Sequence, residues 1–135
     1  MGNCVFCEIV KRVQPAYIIY EDDKVMVFLD KRPYNPGHLL VIPKEHYTDI
    51  FDIPDDLLAY LITIVKKMSN VVKNALNASG IRLVQNNESS AGQVIFHFHF
   101  HIIPYYDTID FPTDKQSIAD ILRKWINETK GIPNH

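Results

Sequence analysis

Between Val94 and Ile103 every even position is apolar, and three successive odd positions are histidine. The even positions read Val94, Phe96, Phe98, Phe100 and Ile102, and the odd ones Ile95, His97, His99, His101 and Ile103. Successive side chains of a strand point to opposite faces, so the pattern predicts one strand with an apolar face and a row of imidazoles on the other. Neighbouring imidazoles would stand about 6.5–7 Å apart. Pro104 lacks an N–H and is expected to end the pairing.

The same reading extends along the chain. Phe6, Ile9, Val10 and Val13 are spaced for one face of a short helix that stops at Pro15. Residues 16–21 and 25–29 predict two strands joined by a turn at Asp22 and Asp23, and residues 38–42 a third strand closed by Pro43. Pro54, followed by Asp55 and Asp56, marks a helix start. Leu57, Leu58, Leu61, Ile62, Val65, Met68, Val72 and Leu76 then keep a 3.6-residue period, with Gly80 as the expected stop. A fourth strand is predicted over residues 81–85, a polar loop over 86–92, and a last amphipathic helix carrying Ile118, Ile121, Leu122, Trp125 and Ile126 to near Gly131. The sum is an α+β domain with a mainly antiparallel five-stranded sheet and helices packed on one face.

A chain of 135 residues is long enough for one core and short for two. Its 47% hydrophobic and 22% charged content is that of a globular protein. A formal charge of −2 provides no basic field for long nucleic acid, although a small phosphate ligand needs only a local group of donors. No apolar run reaches the length of a membrane span. The N-terminus has neither a basic region nor an apolar signal core, so a cytoplasmic location is expected.

Three histidines in phase on one strand admit three readings. They could be a hydrogen-bonded structural set, although each must then satisfy two ring nitrogens. Neighbouring ones could share a metal ion, but three in succession span too far for a single ion. Otherwise one attacks a substrate while its neighbours hold it in place. Cys4 and Cys7 are equally open by spacing alone: half a zinc site, a redox pair, or two unrelated thiols.

The run His97–Phe98–His99–Phe100–His101–Ile102–Ile103 resembles, without a mismatch, the signature of the histidine triad (HIT) superfamily. The likeness extends from about Cys4 to Pro104 through Phe6–Ile9, Tyr20–Asp23, Phe28–Asp30, Gly37–His46, Asn86 and Gly92–Gln93. It is nearest the microbial branch and is similar to the Hint and Fhit proteins. The resemblance implies a single HIT domain over residues 1–135, its core at about 4–104 and a helical extension at about 113–131, working as a homodimer. It also implies cleavage at the α-phosphorus of nucleoside phosphoramidates or dinucleoside polyphosphates. His99 would be the nucleophile, His101 a donor to phosphate or leaving group, and His97 their support. Gly92 would admit close backbone approach, and the Gln93 and Asn86 side chains would donate to phosphate. Asp30 would accept the ribose hydroxyls, and Phe6, Ile9 and Phe28 would wall the base pocket of a purine nucleotide, AMP or GMP. In zinc-bearing members the ligands correspond to Cys4, Cys7, His46 and His97, a closed structural site. His38 reads as a structural strand residue.

Two positions depart from the family pattern. Val94 stands where Hint and Fhit proteins carry a hydroxyl, and Tyr105 where many microbial relatives carry arginine. Two readings of other classes remain: a nucleotide-binding regulatory module with vestigial turnover, and a metallohydrolase with His99 and His101 as ligands of a catalytic ion.

Overall fold

The computed structural model of the chain describes residues 4–130; the expectations placed on the first three residues and on Gly131 lie outside them. The elements run α1 (Val5–Val10), β1 (Ile18–Glu21), β2 (Val25–Leu29), β3 (Leu39–Pro43), α2 (Asp55–Ala75), β4 (Gly80–Val84), a 3-10 turn (Ser89–Ala91), β5 (Phe100–Tyr105) and α3 (Lys115–Thr129). The strands form one sheet in the order β1-β2-β3-β5-β4, every neighbouring pair antiparallel. An α+β architecture with five antiparallel strands is therefore what the chain adopts.

Alternation along β2 and β3 sorts the core into two layers. Val25, Val27, Leu29, Leu39 and Val41 face a large cluster completed by Leu61, Val65, Met68 and Val72 of α2 and Ile118 and Leu122 of α3. Met26, Phe28, Leu40 and Ile42 face the other way and meet Phe6 and Ile9 of α1. Helices thus lie on both faces rather than one. A six-residue helix cannot persist alone, because nucleating a turn costs more than so few bonds return. Burial of Phe6 and Ile9, worth about 1.5–3 kcal/mol each, therefore holds α1 on the sheet.

The histidine strand is shorter and later than its alternation implies. Pairing with β3 covers only Leu39↔Ile102, Leu40↔His101 and Val41↔Phe100. Pro43 has no N–H to continue the ladder, and its carbonyl accepts from the His97 ring at 2.8 Å instead. Upstream, the Phe98 N–H bonds the Tyr47 carbonyl at 2.6 Å, so residues 97–99 are held outside the ladder. The two faces persist through them: Phe98 and Ile102 are fully buried in the main core, with Phe100 packed against it, while the imidazoles face the other way. Val94 and Phe96 escape the pattern, at 81% and 49% exposed. Pro104 does not end the strand; it pairs with Ile81, and Tyr105 with Gly80.

Other boundaries shift for local reasons. The helix α2 ends at Ala75, and Asn77 rather than Gly80 takes the left-handed conformation (φ 55°). Gly80 is instead the first residue of β4. Ile62, expected inward, is 44% exposed. Gly37 is indispensable where the chain turns into β3: its φ is +89°, and an added Cβ would come within 2.7 Å of Leu76 Cδ1. That turn delivers His38. The C-terminal helix packs on α2 and β1, and Arg123 Nε donates to the Ile18 carbonyl at 2.9 Å.

Candidate active site

On the α1 side of the sheet lies a cleft of about 940 Å³. Its inner wall is apolar, from Phe6, Ile9, Phe28 and Leu40. His99, His101, Asp30, Asn86 and Gly92 line it as well. The fold therefore brings together nearly all the residues that the sequence assigns to nucleotide binding.

Hydrogen-bond geometry fixes which nitrogens carry protons. His99 Nδ1 lies 2.7 Å from the His97 carbonyl oxygen, which can only accept. His99 is therefore the Nδ1–H tautomer in its neutral form, and Nε2 keeps its lone pair. A second chain of bonds starts at the Tyr34 backbone N–H, which donates to His38 Nδ1 at 3.1 Å. Neutral His38 then has its proton on Nε2 and donates to His101 Nδ1 at 3.0 Å. His101 is left with Nε2–H. One ring is thus set as a nucleophile and the next as a donor.

His38 is more than the structural strand residue of the sequence reading. It is 1% exposed, and its Nε2 also lies 3.4 Å from Asp30 Oδ2. The signal for this role is in the hairpin register. Leu29 pairs with Leu39, and the Asp30 N–H bonds the His38 carbonyl at 2.9 Å, so the two residues face each other across β2 and β3. Asp30 remains on the cleft; its Oδ1 accepts the Arg32 N–H at 2.9 Å.

Gln93 differs from expectation. Its side chain is buried, donates to the carbonyls of Thr48 (2.7 Å) and Ile95 (3.2 Å), and accepts the Glu88 N–H at 2.7 Å. With both amide hydrogens spent on carbonyls, it has no donor left for phosphate; it ties the loop that carries Gly92 to the segment between β3 and α2. Gly92 has φ +97°, a conformation that glycine adopts without strain. The Asn86 side chain, by contrast, has no hydrogen-bond partner among the described residues and borders the cleft.

Beside the cleft, four metal-capable side chains converge. Cys4 Sγ lies 3.3 Å from His97 Nδ1, Cys7 Sγ 3.3 Å from His46 Nδ1 and 3.6 Å from His97 Nδ1. All four donor atoms lie within 4.8 Å of one another. Tetrahedral zinc with ordinary bond lengths places sulfur and nitrogen ligands about 3.5 Å apart. His97 Nε2–H is tied to the Pro43 carbonyl, so its Nδ1 lone pair faces the thiols, the usual support for a metal-bound imidazole. With both ring nitrogens used, His97 has no atom left for substrate. A second group, Asp30, His38 and His101, also has its donor atoms close together. His99 belongs to neither group, so a catalytic ion held by His99 and His101 finds no support.

Burial disfavours the charged form of these imidazoles. Burial and then the neighbouring His99 and His38 push His101 down to about 4. Burial lowers His99 and His38 as well. Neutral rings therefore prevail at pH 7. Protons that the unfolded chain accepts below its ordinary histidine pKa are refused by native His38 and His101. Stability is then full above about pH 6.5 and falls as pH drops toward 4. Thermal melting of chelator-treated protein should show a lower Tm at about pH 5 than at about pH 7.5, and the difference should shrink in His38→Phe.

Comparison with known proteins agrees with this geometry. The HIT domain family model matches residues 11–108. An uncharacterized HIT-like protein, SSO2163, of Saccharolobus solfataricus is 52% identical over 101 residues, 75% of this chain and 73% of that protein. The adenosine 5'-monophosphoramidase HNT1 of Candida albicans is 39% identical over 110 residues, 78% and 72% of the two chains. The crystal structure of a zinc-bound histidine triad family protein from Mycobacterium smegmatis superposes with TM-score 0.88 at 33% identity, covering 96% of each chain.

Proposed function

Because the chain belongs to the histidine triad (HIT) family, a family of nucleotide-binding hydrolases, we propose that it hydrolyses nucleoside phosphoramidates or dinucleoside polyphosphates at the α-phosphorus, through a nucleotidyl intermediate on His99. The observation that carries this reading is the 2.7 Å bond from His99 Nδ1–H to the His97 carbonyl, which leaves Nε2 as the only nucleophilic atom of the ring. The base lies against Phe6, Ile9 and Phe28, and Asp30 accepts from the ribose. The His99 Nε2 lone pair forms a bond to the α-phosphorus as the bond to the leaving atom breaks, and the leaving group departs with that electron pair. A polyphosphate leaves as an anion that His101 Nε2–H stabilises by hydrogen bonding. An amine leaves with that pair once its nitrogen has taken a proton from solvent, which the proton released by the attacking water later replaces. Water then attacks phosphorus, the P–N bond breaks, the pair returns to Nε2, and nucleoside monophosphate and a proton are released. Asn86 and the Gly92 backbone border the phosphate.

Cys4, Cys7, His46 and His97 would hold one structural zinc through two thiolates and two imidazoles, tying α1 to the segment that carries His99. The outer edge of β4 is unpaired and Leu83 on it is 49% exposed, an edge suited to a homodimer. A cytoplasmic location is part of the same proposal; no described helix is long and apolar enough to cross a membrane.

The test is release of AMP from adenosine phosphoramidate and from diadenosine tetraphosphate. Turnover of at least one at about 1 s⁻¹ or faster is expected. Tight nucleotide binding with no turnover of either would favour a regulatory binding module.

A further inference from the structure

The apolar wall proposed for the base has no side-chain hydrogen-bonding group. Phe6 and Phe28 meet edge to face at 5.4 Å between centroids, and Ile9 and Leu40 belong to the same buried cluster. A surface of this kind takes any flat base, since stacking and apolar contact do not read the groups on its rim. The chain leaves α1 beside this wall and runs back along it into β1. Ala16 and Ile18 pack on the Phe6–Ile9–Phe28 cluster, and Gln14 stands just before them on the cleft lining.

The backbone of Gln14 is held from both sides. Arg12 closes α1 in the left-handed conformation (φ 64°) and pairs with Glu21 of β1. The N–H groups of Val13 and Gln14 both bond the Glu8 carbonyl, at 2.8 and 3.3 Å. Pro15 follows and narrows the conformations open to Gln14. The side-chain amide, by contrast, is exposed at the cleft and forms no hydrogen bond among the described residues. Gln93 is the opposite case, with both amide hydrogens spent on carbonyls. Gln14 thus places an unspent donor and acceptor, side by side, at the edge of an apolar base pocket.

An amide offers one accepting oxygen beside one donating nitrogen. Adenine carries the complement on both of its free edges, because its amino group lies between two ring nitrogens that accept. Guanine has it on one edge only, since the oxygen in place of that amino group makes the other edge all acceptor. We infer that Gln14 reads the base and that adenine is the base it selects, through paired hydrogen bonds to the amino group and a neighbouring ring nitrogen. This rests on the nucleotide reading above and deepens it. Tyr17 also borders the cleft, but its single hydroxyl donates or accepts at one atom and so suits any base.

The test is binding of AMP and of purine riboside 5'-monophosphate, which lacks the amino group, to the unaltered protein, to Gln14→Leu and to Tyr17→Phe. Neither probe has a leaving group, so no turnover interferes. AMP should bind at least about fivefold tighter to the unaltered protein and to Tyr17→Phe, and less than about twofold tighter to Gln14→Leu. Equal affinities in the unaltered protein, or a preference that survives in Gln14→Leu, would overturn the assignment. So would a preference lost in Tyr17→Phe and kept in Gln14→Leu. The nucleotide reading itself fails separately, if neither monophosphate binds the unaltered protein, and it takes this inference with it.

Discussion

Replacing His99 by alanine is expected to lower kcat by about 10⁴-fold or more while nucleotide binding persists. The size follows from what is removed. Phe6, Ile9, Phe28 and Asp30 still line the cleft, so the proposed contacts to base and ribose would be kept. What disappears is the atom that forms the covalent bond, and no neighbour can take its place. His97 has both ring nitrogens occupied, by the cysteine pair and by the Pro43 carbonyl. His101 Nδ1 faces His38, and its Nε2 carries a proton when the ring is neutral. Assay of AMP release beside AMP binding separates the two effects; a loss confined to affinity would contradict the assignment.

The second large effect concerns the metal-ligand cluster. Chelation, or Cys4→Ser or Cys7→Ser, should remove zinc and lower Tm by about 10–15 °C, since a site saturated about a thousandfold adds about 4 kcal/mol. Without an ion, burial and the neighbouring Cys4 push the Cys7 thiol up to about 11, so Cys7 is neutral and contributes little. The helix α1 then depends on the packing of Phe6, Ile9 and the partly buried Val10. Because Phe6 and Ile9 also wall the base pocket, nucleotide affinity should weaken alongside stability. Metal analysis of protein purified without chelator, run beside differential scanning fluorimetry of the variants, is the check. Unchanged melting with the metal gone would contradict a structural role.

The fold was legible wherever side-chain periodicity had one cause. Five strands and three helices follow from apolar spacing, and the pairing of Leu29 with Leu39 made Asp30 and His38 opposite neighbours. The strand carrying the histidines was overextended because alternation records which way a side chain faces, not whether the backbone is paired. Residues 97–99 keep their faces while bonding to Tyr47 and Pro43. Val94 and Phe96 carry apolar side chains to a surface, and nothing in their spacing distinguishes that from a core. The helix stop was placed at Gly80 because glycine is the usual left-handed residue; Asn77 takes that conformation first. At the site, the histidines and cysteines whose spacing matched a known signature are brought together by the fold. Gln93 turns to its surroundings instead, because an amide serves a loop as readily as a phosphate, and only its bonds to Thr48, Glu88 and Ile95 decide. His38 needed the third dimension, since its partner lies 63 residues away.

The most direct measurement is intact-mass analysis of the protein quenched without acid during turnover of diadenosine tetraphosphate or adenosine phosphoramidate. Covalent transfer through His99 predicts a species heavier by one adenylate, mapping to His99 and absent from His99→Ala. Turnover that persists in His99→Ala, with no adduct on the unaltered protein, would contradict it.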